Sequence, residues 1–342
     1  SSLSAAQTFC DELAVGRVPS MAVFAIALLG GCGGLAYAWF CNWRLKLLRA
    51  AIHEGRPCGP LWLRRLGCTF MSTCARLNGV KVASEGGEGL NAPSRQYIYV
   101  WHPHGFVSYV PAHLMGDMAV NGTPHKKEWF GTCIPLLLKL PFIGEIFTVT
   151  NARPVDRKTL ESILGKGGTI AIQPGGVKEQ EASRHDQEQA FFPAKLGFIR
   201  LAIKYGTPLV PVYLFGENQL YKRVSGFEWL TKLIRKFTGM TVPMVLAKCN
   251  MPLAGIFPRA TDIHIRWGTP VDVGPREEDP SEEHVQEVFA RYVAELQRLF
   301  DAHAKDCLPP AVAAKGLKVV KLSDVPGSSG AGAQSSSKGK QS

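Results

Sequence analysis

Hydrophobic residues in this chain form short runs of strand length that alternate with amphipathic segments of helix length. Four runs rich in β-branched and aromatic residues predict buried strands, at 97–101, 169–173, 209–215 and 263–267. Two segments with helical periodicity lie between these runs, at 158–164 and 194–205. This alternation is typical of an α/β protein, in which helices connect the strands of a sheet.

Two further amphipathic segments predict longer helices. Residues 227–237 carry an apolar stripe flanked by basic side chains, for which packing on the sheet and contact with lipid both stay open. Asp279, Pro280 and Glu282 predict the start of a second helix, with Asp279 as N-cap, Pro280 in the first turn and Glu282 reaching back. Apolar residues recur at helical spacing from 285 to 300, so this helix is expected to belong to the scaffold.

An uncharged apolar run at 21–41 is about as long as a helix that crosses a bilayer. Four glycines interrupt the run, so a single span and a re-entrant hairpin both stay open. Six basic residues follow between 44 and 65, and only Arg17 closely precedes the run, which predicts that the rest of the chain is cytosolic. Trp62, Leu66 and Phe70 predict a helix that lies either in the membrane interface or against the core.

Composition narrows the classes of partner. The net charge of +11, from 39 Lys and Arg against 28 Asp and Glu, favours anionic partners. The basic residues are dispersed and show no nucleic-acid-binding motif, so membrane lipids and phosphate-bearing substrates are the better candidates. The nine cysteines are scattered without a Cys-x-x-Cys pair, and we interpret them as reduced thiols.

Candidate chemistry lies where the first predicted strand ends, at His102, Pro103, His104 and Gly105. Pro103 cannot donate to a strand ladder and Gly105 tolerates unusual backbone angles, so the strand should stop there. Histidine titrates near neutrality, and a fixed imidazole suits proton abstraction from an alcohol. Structural histidines and a zinc-binding pair are the alternatives, but a third ligand at recognisable spacing is missing, so no metal is expected. The sequence also lacks Gly-x-Ser-x-Gly, Walker and His-Glu-x-x-His motifs.

The His-Pro-His-Gly sequence resembles the signature of the type 2 diacylglycerol acyltransferase family, which also contains monoacylglycerol acyltransferases and wax synthases. Four more segments resemble the motifs of that family in the same order: Pro174-Gly-Gly-Val-Lys-Glu179, Leu196-Gly-Phe-Ile-Arg-Leu-Ala202, Leu209-Val-Pro-Val-Tyr-Leu-Phe-Gly-Glu-Asn218 and Trp267-Gly-Thr-Pro-Val-Asp272. An ordered set over about 60–308 is far more specific than one motif. The resemblance implies transfer of an acyl group from acyl-coenzyme A to diacylglycerol, giving triacylglycerol, with monoacylglycerol or a long-chain alcohol as alternative acceptors.

The resemblance also implies roles for three residues. His104 is the preferred general base on the acceptor hydroxyl, because it adjoins a glycine where backbone bulk is least, and His102 would orient it or donate a hydrogen bond. In the wider lysophospholipid acyltransferase superfamily, which this family resembles, a carboxylate follows the base by five residues. Tyr109 occupies that position here, so we expect Glu179, which follows a neighbouring strand end, to supply the missing carboxylate.

Further residues are expected to bind substrate. The Gly175-Gly176 turn would direct backbone amides at an oxyanion or a phosphate, although a plain tight turn needs the same residues. Arg153 and Lys195 are the candidates to contact the phosphates of coenzyme A. Many relatives carry two basic residues where this chain has Lys195 and Leu196.

Two polar residues follow the predicted strand at 209–215. Glu217 and Asn218 are expected to shape the acceptor pocket or to brace the histidines. Pro103 and Gly105 complete the predicted substrate site.

The resemblance implies an α/β fold with a lysophospholipid-acyltransferase-like central sheet, flanking helices and an N-terminal membrane anchor. We divide the chain into a polar segment at 1–17, a membrane-embedded helix or hairpin at 18–43, a basic interfacial helical region at 44–80, an acyltransferase catalytic domain at 81–310 and a disordered tail at 311–342. The expected location is the cytosolic face of the endoplasmic reticulum membrane and the lipid droplet.

The expected partners are acyl-coenzyme A, diacylglycerol or a related lipid alcohol, and membrane lipids. No nucleic acid is expected, a homo-oligomer stays open, and no cofactor is needed beyond the acyl donor. A non-catalytic lipid-droplet protein that keeps the same sheet is the alternative of a different class.

Overall fold

A computed structural model describes residues 33–322 except 35, 38, 41–42, 45, 88–89, 91–94, 107, 109–128, 141, 239–243 and 248–257. The polar segment at 1–17 and most of the membrane segment expected at 18–43 lie outside the described residues. Within the described ranges, no helix is both long and apolar enough to cross a membrane.

The strands are named in chain order. They are β1 (Lys81–Gly86), β2 (Ile98–His102), β3 (Trp129–Cys133), β4 (Ala152–Pro154), β5 (Thr169–Ile172), β6 (Glu188–Phe192), β7 (Leu209–Phe215), β8 (Lys222–Arg223), β9 (Val245–Leu246), β10 (Asp262–Trp267) and β11 (Leu317–Lys321). The helices are α1 (Leu61–Asn78), α2 (Ile143–Val149), α3 (Arg157–Gly165), α4 (Gly176–Ala182), α5 (Gly197–Tyr205), α6 (Glu228–Thr238), α7 (Glu282–Cys307) and α8 (Pro310–Ala313). Short 3-10 turns lie at Leu137–Lys139 and Glu217–Leu220.

Seven strands form a mixed central sheet in the order β1-β10-β7-β2-β5-β3-β4. The strands from β7 to β4 are parallel, β10 is antiparallel to β7, and β1 is parallel to β10. Each of the four predicted strands is present, shifted by at most one residue at either end. The α/β prediction is therefore confirmed.

The predicted helices are also present, with two shifted starts. α5 begins at Gly197 rather than 194, after Leu196 in the left-handed region at φ 44°. α7 is capped by Ser281, whose hydroxyl accepts from the backbone N–H of His284 at 3.2 Å. The prediction of Asp279 as N-cap is therefore wrong by two residues, because the hydroxyl of Ser281 reaches the free N–H groups of the first turn.

Successive side chains of β2 point to opposite faces of the sheet and so belong to two different cores. Ile98 and Val100 face the core formed with α3, α5 and α7, whereas Tyr99 and Trp101 face the core on the other side of the sheet. The period of two places His102 on the same side as Ile98 and Val100, toward α7.

The chain after residue 310 is folded up to residue 322. α8 packs on the core through Val312, and β11 pairs in parallel with β6 from Leu317 to Lys321. The prediction of a disordered tail is therefore wrong for 311–322, because Val312 is buried in the core and the half-buried Leu317 and Val319 pack against it while β11 pairs with β6. Residues 323–342 lie outside the described part of the chain.

Candidate active site

Three adjacent parallel strands bring the predicted site residues together. β7, β2 and β5 are neighbours in the sheet, and their carboxyl ends lie at one edge. This edge holds His102 at the end of β2, Gln173 directly after β5 and Glu217 in the turn after β7.

His102 is completely buried. Its Nε2 lies 3.0 Å from the hydroxyl of Tyr292 on α7, and its ring centre lies 5.2 Å from that of Phe192. Its Nδ1 has no hydrogen-bond partner among the described residues. Burial lowers the pKa of His102 to about 3, so the ring is neutral at physiological pH. The geometry makes His102 an internal support of the site.

His104 follows a cis peptide bond between His102 and Pro103 and is partly exposed. Its Nδ1 lies 2.9 Å from the hydroxyl of Ser108 and 3.4 Å from the carbonyl oxygen of Gly105. Burial lowers the pKa of His104 to about 4, so it is unprotonated at pH 7. Of the two histidines, His104 is thus the more exposed, and its ring is neutral.

Glu179 lies on α4 and is 1% exposed. Its Oε1 accepts a hydrogen bond of 2.9 Å from the backbone N–H of His104, and the backbone of Phe191 donates to the same carboxyl group. Burial raises the pKa of Glu179 to about 8, so it is mostly protonated at pH 7. The sequence correctly predicted that Glu179 lies beside His104, but the contact is to the backbone and not to the imidazole.

Two glycines make room for buried carboxyl groups. A Cβ at Gly175 would overlap Oε2 of Glu179, and one at Gly105 would lie 2.7 Å from Cγ of Glu217. Gly105 also has φ +65°. Gly176 differs, since a Cβ there would meet nothing within 4 Å, although its φ is +51°. Gly105 and Gly175 are therefore required by close packing at the site.

The buried carboxyl group of Glu188 on β6 organises a second polar cluster. It accepts hydrogen bonds from the hydroxyl of Tyr213 at 2.8 Å, from Nδ2 of Asn218 at 2.9 Å and from Nε2 of Gln219 at 3.0 Å. Burial raises the pKa of Glu188. Asn218 therefore supports Glu188 and does not brace the histidines, whereas the buried Glu217 packs directly against the backbone beside His104.

The two basic residues predicted to bind phosphate occupy opposite environments. Arg153 is 0% exposed and donates to the carbonyl oxygens of Ala152 at 2.7 Å, Arg56 at 2.6 Å and Thr148 at 3.4 Å. The prediction that Arg153 contacts phosphate is wrong for this geometry, because its guanidinium is enclosed by backbone oxygens. Lys195 is exposed and remains available.

Three residues that contact the histidines or their loop could not be identified from the sequence. Ser108 and Tyr292 contact the two imidazoles, and Nε2 of Gln173 donates to the carbonyl oxygen of Pro103 at 3.4 Å. Ser108 belongs to no recognisable motif, Gln173 ends a buried strand, and Tyr292 was counted as scaffold on an apolar helix face. Among the described residues, no group of three His, Cys, Asp or Glu side chains could hold a metal ion.

Comparison with known proteins places the chain in a family. A family model for diacylglycerol acyltransferase matches residues 84–311. The chain is 32% identical over 225 residues to diacylglycerol O-acyltransferase 2 of Xenopus tropicalis, covering 62% of each protein. It is 31% identical over 225 residues to 2-acylglycerol O-acyltransferase 1 of Bos taurus, covering 62% of this chain and 66% of that one.

Other similar proteins have names that specify different substrates. The chain is 29% identical over 230 residues to acyl-CoA wax alcohol acyltransferase 2 of Mus musculus, covering 62% of this chain and 67% of that one. Among solved structures, the 1-acyl-sn-glycerophosphate acyltransferase of Thermotoga maritima aligns with 70% of this chain and 80% of its own length, at 16% identity and a TM-score of 0.44. The frog and bovine matches span less than two thirds of those relatives' length. Because the family model covers most of the folded region, including the two histidines and Glu179, the chain belongs to the diacylglycerol acyltransferase family.

Proposed function

We propose that this protein is an acyl-coenzyme A-dependent O-acyltransferase that esterifies diacylglycerol to triacylglycerol, with His104 as the general base. Membership of the diacylglycerol acyltransferase family supports the acyl-transfer chemistry. The observation that carries the choice of base is the difference between the two histidines: His104 is partly exposed, whereas His102 is completely buried against Tyr292.

The proposed reaction proceeds by direct transfer. The acceptor hydroxyl attacks the thioester carbonyl carbon while its proton moves to Nε2 of His104, so the O–H bond breaks as the C–O bond forms. The tetrahedral intermediate then expels the coenzyme A sulfur, which leaves as a thiol by taking the proton back from the imidazolium. Glu179 holds the backbone of His104 through the 2.9 Å hydrogen bond and does not exchange a proton. The exposed Lys195 is the proposed contact to the phosphates of coenzyme A.

Substitution of His104 tests this proposal. In microsomes that express the full chain, His104→Ala should lower the rate of triacylglycerol formation from labelled oleoyl-coenzyme A by about 10²–10⁴-fold, since it removes the general base. The melting temperature should stay close to that of the wild type, because the ring is not part of the core. His303→Ala, a partly exposed histidine near the end of α7, is the matched control and should keep full activity. A folded His104→Ala protein with wild-type activity would show that His104 is not the base.

The acceptor needs a test of its own, since relatives are named for diacylglycerol, 2-acylglycerol and wax alcohol. The same microsomes supplied with each acceptor in turn would separate these activities. Diacylglycerol should give the highest kcat/KM, and label that appears only in wax ester would exclude the diacylglycerol assignment. A non-catalytic lipid-droplet protein would transfer label to none of the acceptors.

The proposed location is the cytosolic face of the endoplasmic reticulum membrane and the lipid droplet, with an anchor at 18–43 and a lysophospholipid-acyltransferase-like arrangement of the domain. The exposed apolar side of α1 supports contact with lipid: Trp62 is 66% exposed, Phe70 51% and Leu77 72%. Arg64 and Arg65 lie on the same helix, as in helices that bind in the interface.

Brominated phospholipids test the lipid contact of α1. In vesicles that contain these lipids, Trp62→Phe should remove part of the quenching of tryptophan fluorescence, because Trp62 would reach the acyl region. Trp129→Phe is the control, since Trp129 is buried in the core. Equal quenching in both variants would contradict an interfacial position of α1.

A further inference from the structure

The imidazole of His104 is held by neutral oxygen atoms. The hydroxyl oxygen of Ser108 lies 2.9 Å from Nδ1 and 3.4 Å from Nε2, and the carbonyl oxygen of Gly105 lies 3.4 Å from Nδ1. Among the described residues, no carboxyl group hydrogen-bonds to this ring, because Glu179 binds the backbone N–H of His104. The contacts of Nδ1 therefore decide which nitrogen carries the proton.

The neighbours of Ser108 determine the direction of its hydrogen bonds. Its hydroxyl oxygen lies 3.0 Å from the carbonyl oxygen of His104 and 3.2 Å from Oε1 of Gln173, and both oxygens can only accept. The amide of Gln173 is oriented because its Nε2 donates to the carbonyl oxygen of Pro103. The single hydroxyl proton of Ser108 thus goes to one of these oxygens, and the hydroxyl oxygen is left to accept from Nδ1–H. The carbonyl of Gly105 favours the same tautomer, since it too can only accept.

We propose that Ser108 and Gln173 are positioning residues that hold His104 in its Nδ1–H tautomer, which leaves Nε2 unprotonated and able to take the proton of the acceptor hydroxyl. This inference rests on the proposed function of His104 as the base. Ser108 and Gln173 fill the orienting role for which the sequence predicted a carboxylate. A neutral acceptor on Nδ1 adds no negative charge that would raise the pKa of the imidazole, and burial then keeps it near 4.

Two substitutions and their combination test the inference. Ser108→Ala removes the hydroxyl, and Gln173→Met removes the amide that orients it while keeping a side chain of similar length. Each variant should lower kcat by about tenfold or more, which is the effect of one lost hydrogen bond in the transition state, and leave the KM for acyl-coenzyme A unchanged. The double variant should be no slower than Ser108→Ala, because both residues act on one atom. Gln96→Met is the matched control: its Nε2 also donates to a carbonyl oxygen, that of Leu164 at 3.1 Å, but at the opposite end of β2, so its kcat should stay at the wild-type value.

The effect of Ser108→Ala on a protein that already lacks the imidazole of His104 distinguishes a positioning role of Ser108 from a merely structural one. In a His104→Ala background, Ser108→Ala should leave the residual rate unchanged, because the serine acts only through that ring. A further tenfold loss in this background, or wild-type kcat in folded Ser108→Ala and Gln173→Met proteins, would overturn the inference. If Ser108→Ala fails to fold, the same comparison is made with Gln173→Met, which should lower kcat in the wild type but leave the residual rate of His104→Ala unchanged. A fully active His104→Ala protein would instead refute the proposed function itself, so the two failures are distinguishable.

Discussion

The contact between His102 and Tyr292 permits a quantitative prediction about which histidine supports the fold. Tyr292→Phe removes a hydroxyl that lies 3.0 Å from Nε2 of His102, while the ring keeps its contacts with Phe192 and Phe198. Both nitrogens of the buried imidazole would then lack a partner among the described residues, since Nδ1 already has none. An unsatisfied buried polar group costs about 1–3 kcal/mol, so the variant should be destabilised by that amount.

For a domain of this size the expected loss corresponds to a fall of about 2–12 °C in melting temperature. Thermal unfolding of the purified full chain in detergent, together with its acyltransferase rate, provides the measurement. Tyr205→Phe is the control, because this tyrosine is partly exposed and its substitution should change stability by less than about 0.5 kcal/mol. The double variant His102→Leu with Tyr292→Phe should lose less than the sum of the single losses, since both polar partners are removed together. Unchanged stability of Tyr292→Phe with a large loss of rate would refute the reasoning and assign His102 a direct part in the reaction.

Three further outcomes follow from the buried groups at the sheet edge. Gly175→Ala should lower activity and destabilise the protein by about 1–3 kcal/mol, because the added Cβ would overlap Oε2 of Glu179. Gly197→Ala is the control and should be tolerated, since a Cβ there would meet no atom within 4 Å. Equal melting temperatures of the two variants would contradict this prediction. Glu179→Gln should keep more activity at pH 7 than Glu179→Ala, since it retains the acceptor for the N–H of His104. The wild type should lose stability relative to Glu179→Gln as the pH rises from 4.5 to about 8, because the unfolded carboxyl group ionises in this window while the raised pKa keeps the folded one protonated. The free energy of unfolding of the wild type relative to that of His104→Ala should fall as the pH drops from 6.5 toward 4, because the lowered pKa of His104 means that the unfolded wild-type chain binds a proton that the variant cannot bind. The comparison cancels the opposite contributions of Glu179 and Glu188, whose pKa values are raised, and a difference that does not change with pH in urea titrations would contradict the lowered value.

Much of the architecture could be predicted from the sequence because it depends on local patterns. Strands such as β2 and β7 are continuous apolar runs, and parallel strand ends must meet at one edge of the sheet, which predicted that Glu179 lies near His104. The start of α7 was misplaced because Asp279 and Ser281 are both good caps, and only the backbone angles select one of them.

Contacts between distant side chains could not be predicted. The enclosure of Arg153 depends on carbonyl oxygens from three separate positions, and a basic residue near a motif looks the same in sequence whether it is buried or exposed. Ser108 contacts Nδ1 of His104 and has a backbone φ of 52°, and no residue pattern indicates either feature. The fold of 311–322 depends on pairing between β11 and β6, which are more than a hundred residues apart.

The pairing of β11 with β6 has a consequence for biosynthesis. β6 carries Glu188 and Phe191, whose backbone contacts Glu179, so β11, the last strand among the described residues, supports the candidate site through β6. A nascent chain cannot complete this support until residue 321 has left the ribosomal tunnel. We therefore expect premature termination after residue 310 to yield an inactive product, because β6 would lack its partner strand even though every motif residue had been translated.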